Sequence, residues 1–209
     1  MTDYRVILVN GLARAEGSKA EMDFTCQAKH SVTQEIPIIN QTDEDWPIRA
    51  SLHAENFATP FMIVARANAT TNYPIVFHPR KKSEVNGVLQ LTNSYTNQRH
   101  VYNLRGIGLD PEPESVFNLN CVAREKLKLQ FNVKNDLNVE SVFNVVTDLQ
   151  VFTGEKSIVL GSDSSTTYTM EITPLHSGRF SKYVKFVNSV DESFSWFSIQ
   201  VILIFNNNN

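Results

Sequence analysis

Side chains able to do chemistry are few in this chain, and they are dispersed. Cys26 and Cys121 are its only thiols. A thiol attacks, binds metal or forms a disulfide only beside a base, a second ligand or a partner thiol. Neither has another Cys or a His at ligand spacing, so both are expected to be buried structural thiols. The five histidines are scattered and no Gly-x-Ser-x-Gly elbow occurs, which leaves no local signature of nucleophilic catalysis. Thr42-Asp43-Glu44-Asp45 groups carboxylates that could hold a cation, but it lacks the longer spaced pattern of a calcium loop and reads as a solvated turn. His78 leads into Pro79-Arg80-Lys81-Lys82. A loop of that charge suits an acidic protein surface such as tubulin tails, through a salt-sensitive attraction. Arg80, Lys81 and Lys82 are therefore the candidate partner contacts, with a solvated loop as the plainer alternative. Trp46 and Trp196 could anchor a partner, as aromatics do at interfaces, or pack at the core or rim of their own domains. No catalytic residue, cofactor or metal site is expected.

The elements that carry these residues are short strands. Apolar and polar residues alternate along Tyr73, Ile75 and Phe77 up to Pro79, the period of a half-buried strand stopped by a residue that cannot donate to a ladder. The same phrase returns 95 positions later as Tyr168, Met170 and Ile172 before Pro174. At that offset Cys26 falls on Cys121, Asn40 on Asn135, Phe57 on Phe152 and Asn93-Ser94 on Asn188-Ser189, with no gap. Identities are sparse, but the phase is shared: Ile36 and Ile38 meet Phe131 and Val133, and Leu89 and Leu91 meet Val184 and Phe186. A one-residue slip would turn every inward side chain outward, so shared phase over several strands points to a shared fold. Helical signals are nearly absent.

The expected fold class is therefore all-β, as tandem immunoglobulin-like antiparallel β-sandwiches of about seven strands each. The 209 residues suffice for two such sandwiches. The expected domains are 18–112 and 113–205, divided near Asp110-Pro111-Glu112-Pro113. Residues 4–12 align with the last strand of the first repeat, so 1–17 is expected to be the closing strand of a preceding repeat plus a linker, and the Asn tail 206–209 to be disordered. A net charge of −3 neither draws the chain to nucleic acid nor repels it strongly. The first residues do not read as a signal peptide, no apolar run is long enough to span a bilayer, and two distant cysteines suit a reducing cytosolic compartment.

Tyr73-Pro74-Ile75-Val76-Phe77-His78-Pro79, then Gly87-Val88-Leu89-Gln90-Leu91 and Val101-Tyr102-Asn103-Leu104-Arg105-Gly106-Ile107-Gly108, resembles the ASPM/SPD-2/Hydin (ASH-type) repeat found in ciliary central-apparatus proteins. The second copy departs from that pattern, with Lys182 at the place of Gly87 and Val201 at the place of Gly106. The resemblance implies a non-catalytic docking segment of a large axonemal protein, in the cytoplasm and cytoskeleton of a cilium or flagellum. Its implied partners are other axonemal proteins in a large hetero-complex, with microtubules as a further candidate, and no nucleic acid or membrane. A cytosolic major sperm protein-like adaptor that binds short peptide motifs is the alternative, distinguished by a compact basic groove on one domain.

Overall fold

Residues 20–122, 124–174 and 178–204 are described by the computed structural model. The readings made above for residues 4–12 and for the Asn tail lie outside this range. In the first half the strands are β1 (Ala20–Gln27), β2 (Val32–Asn40), β3 (Trp46–His53), β4 (Phe57–Ala58), β5 (Met62–Ala65), β6 (Ala69–Phe77), β7 (Ser83–Asn93) and β8 (Arg99–Leu109). The second half repeats them as β9 (Ser115–Val122), β10 (Leu127–Lys134), β11 (Ser141–Thr147), β12 (Phe152–Thr153), β13 (Ser157–Leu160), β14 (Ser165–Ile172), β15 (Gly178–Asn188) and β16 (Phe194–Ile204). Strand β10 and strands β11 and β14 differ from their counterparts by single residues at an end, and the others match at the 95-residue offset.

Each half is a two-layer sandwich. A five-stranded sheet in the order β1-β8-β7-β3-β5 faces a three-stranded sheet β2-β6-β4. The second half has the equivalent sheets, β9-β16-β15-β11-β13 and β10-β14-β12. Alternation dictates the layers. Met22, Phe24 and Cys26 point inward from β1, Tyr73, Ile75 and Phe77 from β6, and Leu89 and Leu91 from β7, forming one core. The second core is built at the matching positions by Cys121, Tyr168, Met170, Ile172, Val184 and Phe186. Fully burying a side chain of this size contributes about 1.5–3 kcal/mol, so the shared phase selects this pairing over any slipped one.

Two features go beyond the seven-stranded antiparallel expectation. Among the described residues each sandwich carries eight strands, and the first of these lies parallel to the last: β1 beside β8 from Ala20↔Tyr102 to Gln27↔Leu109, and β9 beside β16 from Ser115↔Phe197 to Val122↔Ile204. Parallel neighbours cannot be joined by a tight hairpin. The chain therefore crosses to the other sheet directly after β1, and the crossing is tied down identically in both halves. The amides of Lys29 and Arg124 each donate to the carbonyl of the proline that ends the aromatic strand, Pro79 and Pro174, at 2.8 Å. Both residues take positive φ, 70° and 69°. Asn68 and Asp163 form a second matched pair of left-handed positions, and Asn97 and Glu192 a third.

The chain divides between Asp110 and Pro111. Trp196 accounts for the side to which the proline-containing segment adheres. Its indole Nε1 donates to the Pro111 carbonyl at 2.8 Å, and its own carbonyl accepts from the Glu114 amide at 2.8 Å.

Candidate functional site

The strongest repeated polar feature is structural. Asn40 ends β2, Asn135 directly follows β10, and both are buried, at 1% and 0% exposure. The Asn40 amide donates to the carbonyls of Glu44 and Ala65, and its Oδ1 accepts from the Thr42 amide. The Asn135 amide donates to Val139, Leu160 and Gly161, and its Oδ1 accepts from Leu137. One short side chain thus satisfies backbone groups from its own loop and from the edge strand, which is why a polar residue persists at a core position. Tyr73 and Tyr168 make the second repeated bond, their hydroxyls donating to the carbonyls of Pro60 and Glu155. Desolvation raises both phenol pKa values, keeping the donating form.

The acidic loop after β2 is spent on the protein itself. Asp45 accepts from the Ala67 amide at 2.8 Å and from Arg66 Nη1 at 2.7 Å, while Asp43 accepts from the Asn68 side chain at 2.8 Å. The Ala67 hydrogen bond and then Arg66 hold the Asp45 carboxyl below its ordinary pKa. These carboxylates brace the turn between β5 and β6 around the left-handed Asn68. Among the described residues no group of three or more His, Cys, Asp and Glu could hold a metal ion.

Cys26 and Cys121 are buried and unpaired with one another. Cys26 lies inside β1, one residue before its end, so it belongs to the parallel strand and not to the strand leading into the Asn40 turn. Desolvation pushes both thiol pKa values up, and Glu125 adds to the effect at Cys121. The neutral thiol is the form the fold favours. Stability from this source is constant below the ordinary thiol pKa of about 8.5 and declines as pH rises through the raised folded value. We expect the native chain to react with a disulfide reagent at pH 8 only as fast as it opens, and both thiols to react at once in denaturant. A rapid native-state phase for either would show that its burial is wrong.

Of the basic loop, Arg80 and Lys82 are exposed and Lys81 is half-buried. Lys82 pairs with Asp110 at 2.9 Å across well-exposed side chains, an arrangement worth about 0–1 kcal/mol. The two tryptophans separate. Trp46 packs against the first core with its Nε1 buried and without a hydrogen-bond partner, whereas Trp196 lies half-buried on the outward side of β16.

The departures of the second repeat have packing consequences. A Cβ on Gly106 would lie 2.4 Å from the Phe77 ring, and one on Gly87 would lie 2.1 Å from Ala54 Cβ. At the matching positions the second half has Val201 and the smaller Ile172, both in its core, and Lys182 and Leu149. Leu149, Val151, Ile172, Pro174, Phe180 and Lys182 line a cavity of about 220 Å³ there. Lys182 is 3.5 Å from Asp148, whose other oxygen accepts from the Tyr183 amide. Sequence inspection registered Lys182 only as a lost glycine, because the side chains that frame the cavity are distant in sequence.

No family model matches the chain. Over 191 residues it is 29% identical to cilia and flagella-associated protein 47 of Mus musculus, an alignment covering 91% of this chain and 6% of that protein. Over 176 residues it is 24% identical to the Homo sapiens protein of the same name, covering 84% and 6%. The chain therefore spans about 6% of the length of these relatives. Among solved structures, the ASH/PapD-like domain 7 of human CEP192 covers 51% of this chain and 99% of its own length, with 14% identity and a TM-score of 0.37. Red sea bream transglutaminase covers 84% of this chain and 30% of its own, with 12% identity and a TM-score of 0.46. The chain is a tandem pair of all-β sandwiches, similar in sequence to a stretch of cilia- and flagella-associated protein 47.

Proposed function

We propose that this chain is a non-catalytic structural and docking segment of a large axonemal protein, in the central apparatus of motile cilia. The observation that carries this reading is its similarity to cilia- and flagella-associated protein 47 along 91% of its length, running through both repeats. The repeated polar side chains support it: Asn40, Asn135, Tyr73 and Tyr168 all close on the backbone of their own sandwich, so they serve architecture and not turnover. In this reading the partners are other axonemal proteins, held in a large hetero-complex. Two modes of contact are open. Edge strands such as β5 and β13 present backbone donors and acceptors for strand addition, and the Arg80–Lys82 loop offers positive charge to an acidic neighbour.

The deciding experiment is localisation of the full-length protein, tagged at its own locus, in a ciliated cell. A signal along the axoneme that concentrates at the central pair of microtubules is expected. Absence from the axoneme would sink the ciliary reading, and a signal confined to the outer doublets would move the segment out of the central apparatus.

A further inference from the structure

The basic run Arg80-Lys81-Lys82 ends directly on Ser83. That order matters, because kinases whose substrate grooves are lined with carboxylates choose a hydroxyl by the cations that precede it. Ser83 is the one serine or threonine of the 209 residues with an arginine three places before it, and lysines fill the two places between. The matching position of the second repeat is Gly178, preceded by Leu175-His176-Ser177, so the sandwich itself demands neither the cations nor the hydroxyl. Neighbouring acids do not cancel the run. Lys82 pairs with Asp110 at 2.9 Å across side chains that are 68% and 59% exposed, where water screens the attraction. Glu84, the next residue, is engaged by Arg105 at 2.8 Å.

The fold presents this segment at a strand end. Residues 78–82 lie between β6 and β7 outside any strand, with Arg80 and Lys82 exposed. Ser83 is the first residue of β7, half-buried, and pairs with Gly108 near the end of β8. Its hydroxyl donates to the Lys81 carbonyl at 3.2 Å, beyond the usual range for an O–H donor. Drawing Ser83 out opens the first rung of the β7–β8 ladder, and strand ends are where local opening costs least.

We propose that Ser83 is a phosphorylation site for a serine kinase that selects basic residues before its target, and that the phosphate weakens the attraction of this loop for acidic surfaces. In the transfer the Ser83 hydroxyl oxygen bonds the terminal phosphorus of a nucleoside triphosphate, the bond from that phosphorus to the departing nucleoside diphosphate breaks, and the hydroxyl proton passes to a base of the kinase. Nothing is oxidised or reduced. The phosphate brings a charge of about −1.5 to −2 at pH 7, which set against Arg80, Lys81 and Lys82 leaves the loop at about +1. It also removes the donor that Ser83 gives to the Lys81 carbonyl, and it offers the neighbouring Lys82 a stronger acceptor than Asp110.

The loop effect rests on the docking reading of Arg80–Lys82, whereas the modification site stands apart from it and from the ciliary address. The test incubates the folded chain with ATP and a purified serine kinase that selects arginine three residues before its target, then locates phosphate by peptide mass spectrometry. A single phosphate on Ser83 is expected. Arg80→Ala is expected to lower kcat/KM about tenfold, the worth of one charge-assisted contact to the kinase, and Ser83→Ala to leave the chain unmodified. Phosphate elsewhere with Ser83 bare, an Arg80→Ala rate equal to that of the parent, or modification of a synthetic peptide spanning Ser83 but not of the folded chain would overturn the site. The loop effect is read from binding of a glutamate-rich peptide at low salt, which phosphorylation is expected to weaken roughly tenfold. Binding unchanged by the phosphate would overturn that half of the proposal. A parent chain that does not bind the peptide at all would instead sink the loop contact of the proposed function, and the mass spectrum alone would then decide the site.

Discussion

Replacing Gly106 with valine is expected to destabilise the first sandwich by about 3 kcal/mol, the upper part of the range for overpacking a core, and replacing Phe77 with isoleucine in the same chain is expected to recover much of that loss. The added Cβ would lie 2.4 Å from Phe77 Cε2 and 2.6 Å from Cζ. The ring has little room to withdraw: it is fully buried, 4.7 Å from the Phe57 ring and 6.3 Å from that of Phe24, centroid to centroid. Phe77→Ile alone removes volume and costs about 2 kcal/mol through the cavity it leaves. The second repeat shows the compensated pair, Val201 with Ile172, both buried at 1% exposure. Urea melts of the two single variants and the double variant form a cycle, with an expected coupling of about 2 kcal/mol in favour of the double. Compensation should be incomplete, because Leu119 in the second repeat stands where the first has Phe24. Simple additivity of the two losses would show that the glycine does not sit against that ring.

Asn135→Ala is the second large effect, expected to cost the second sandwich about 3 kcal/mol, since it strips hydrogen bonds from several buried backbone groups at once. The amide reaches Val139 and Gly161 at 2.8 Å and Leu160 at 3.3 Å, while Oδ1 receives the Leu137 amide at 3.1 Å. Asn135→Asp is a sharper probe, because it keeps the size and exchanges the donor for an acceptor facing carbonyl oxygens. Its carboxyl would be favoured in the neutral form, so its folded pKa would rise above the unfolded value of about 3.9. The sign follows. Relative to the parent chain, the Asp variant is least impaired below the unfolded pKa, and its deficit grows as pH rises through the folded value. Segment-resolved hydrogen exchange between pH 4 and 7 measures this as lost protection in the strands of the second half. A deficit independent of pH would mean that water reaches the site and solvates the charge.

Much of this architecture was legible without coordinates, and particular residues show why. Tyr73, Ile75 and Phe77, with their counterparts before Pro174, declare a half-buried strand because side-chain direction has period two and needs no knowledge of neighbours. Asn40 and Asn135 coincided for a reason the structure supplies: a buried side chain that both donates and accepts is hard to replace. The thiols were read correctly as buried, but the strands that carry them, and what those strands pair with, were not legible. Nothing local distinguishes a strand that pairs in parallel with one 82 residues on from a strand that pairs with its neighbour. The Asp43–Asp45 loop looked like solvated carboxylates because its donors, Arg66, Ala67 and Asn68, arrive from beyond three further strands.

The chain's sequence by itself determined the fold class, the doubling at 95 residues and the inward residues of both cores, since all three follow from local alternation repeated in phase. Tertiary structure alone decided which strands adjoin and that Gly106 and Phe77 form one packing unit with Val201 and Ile172 as its alternative. The physical reason is the same throughout. Inside and outside are encoded residue by residue, whereas adjacency is created only when strands distant in the chain are brought about 4.8 Å apart.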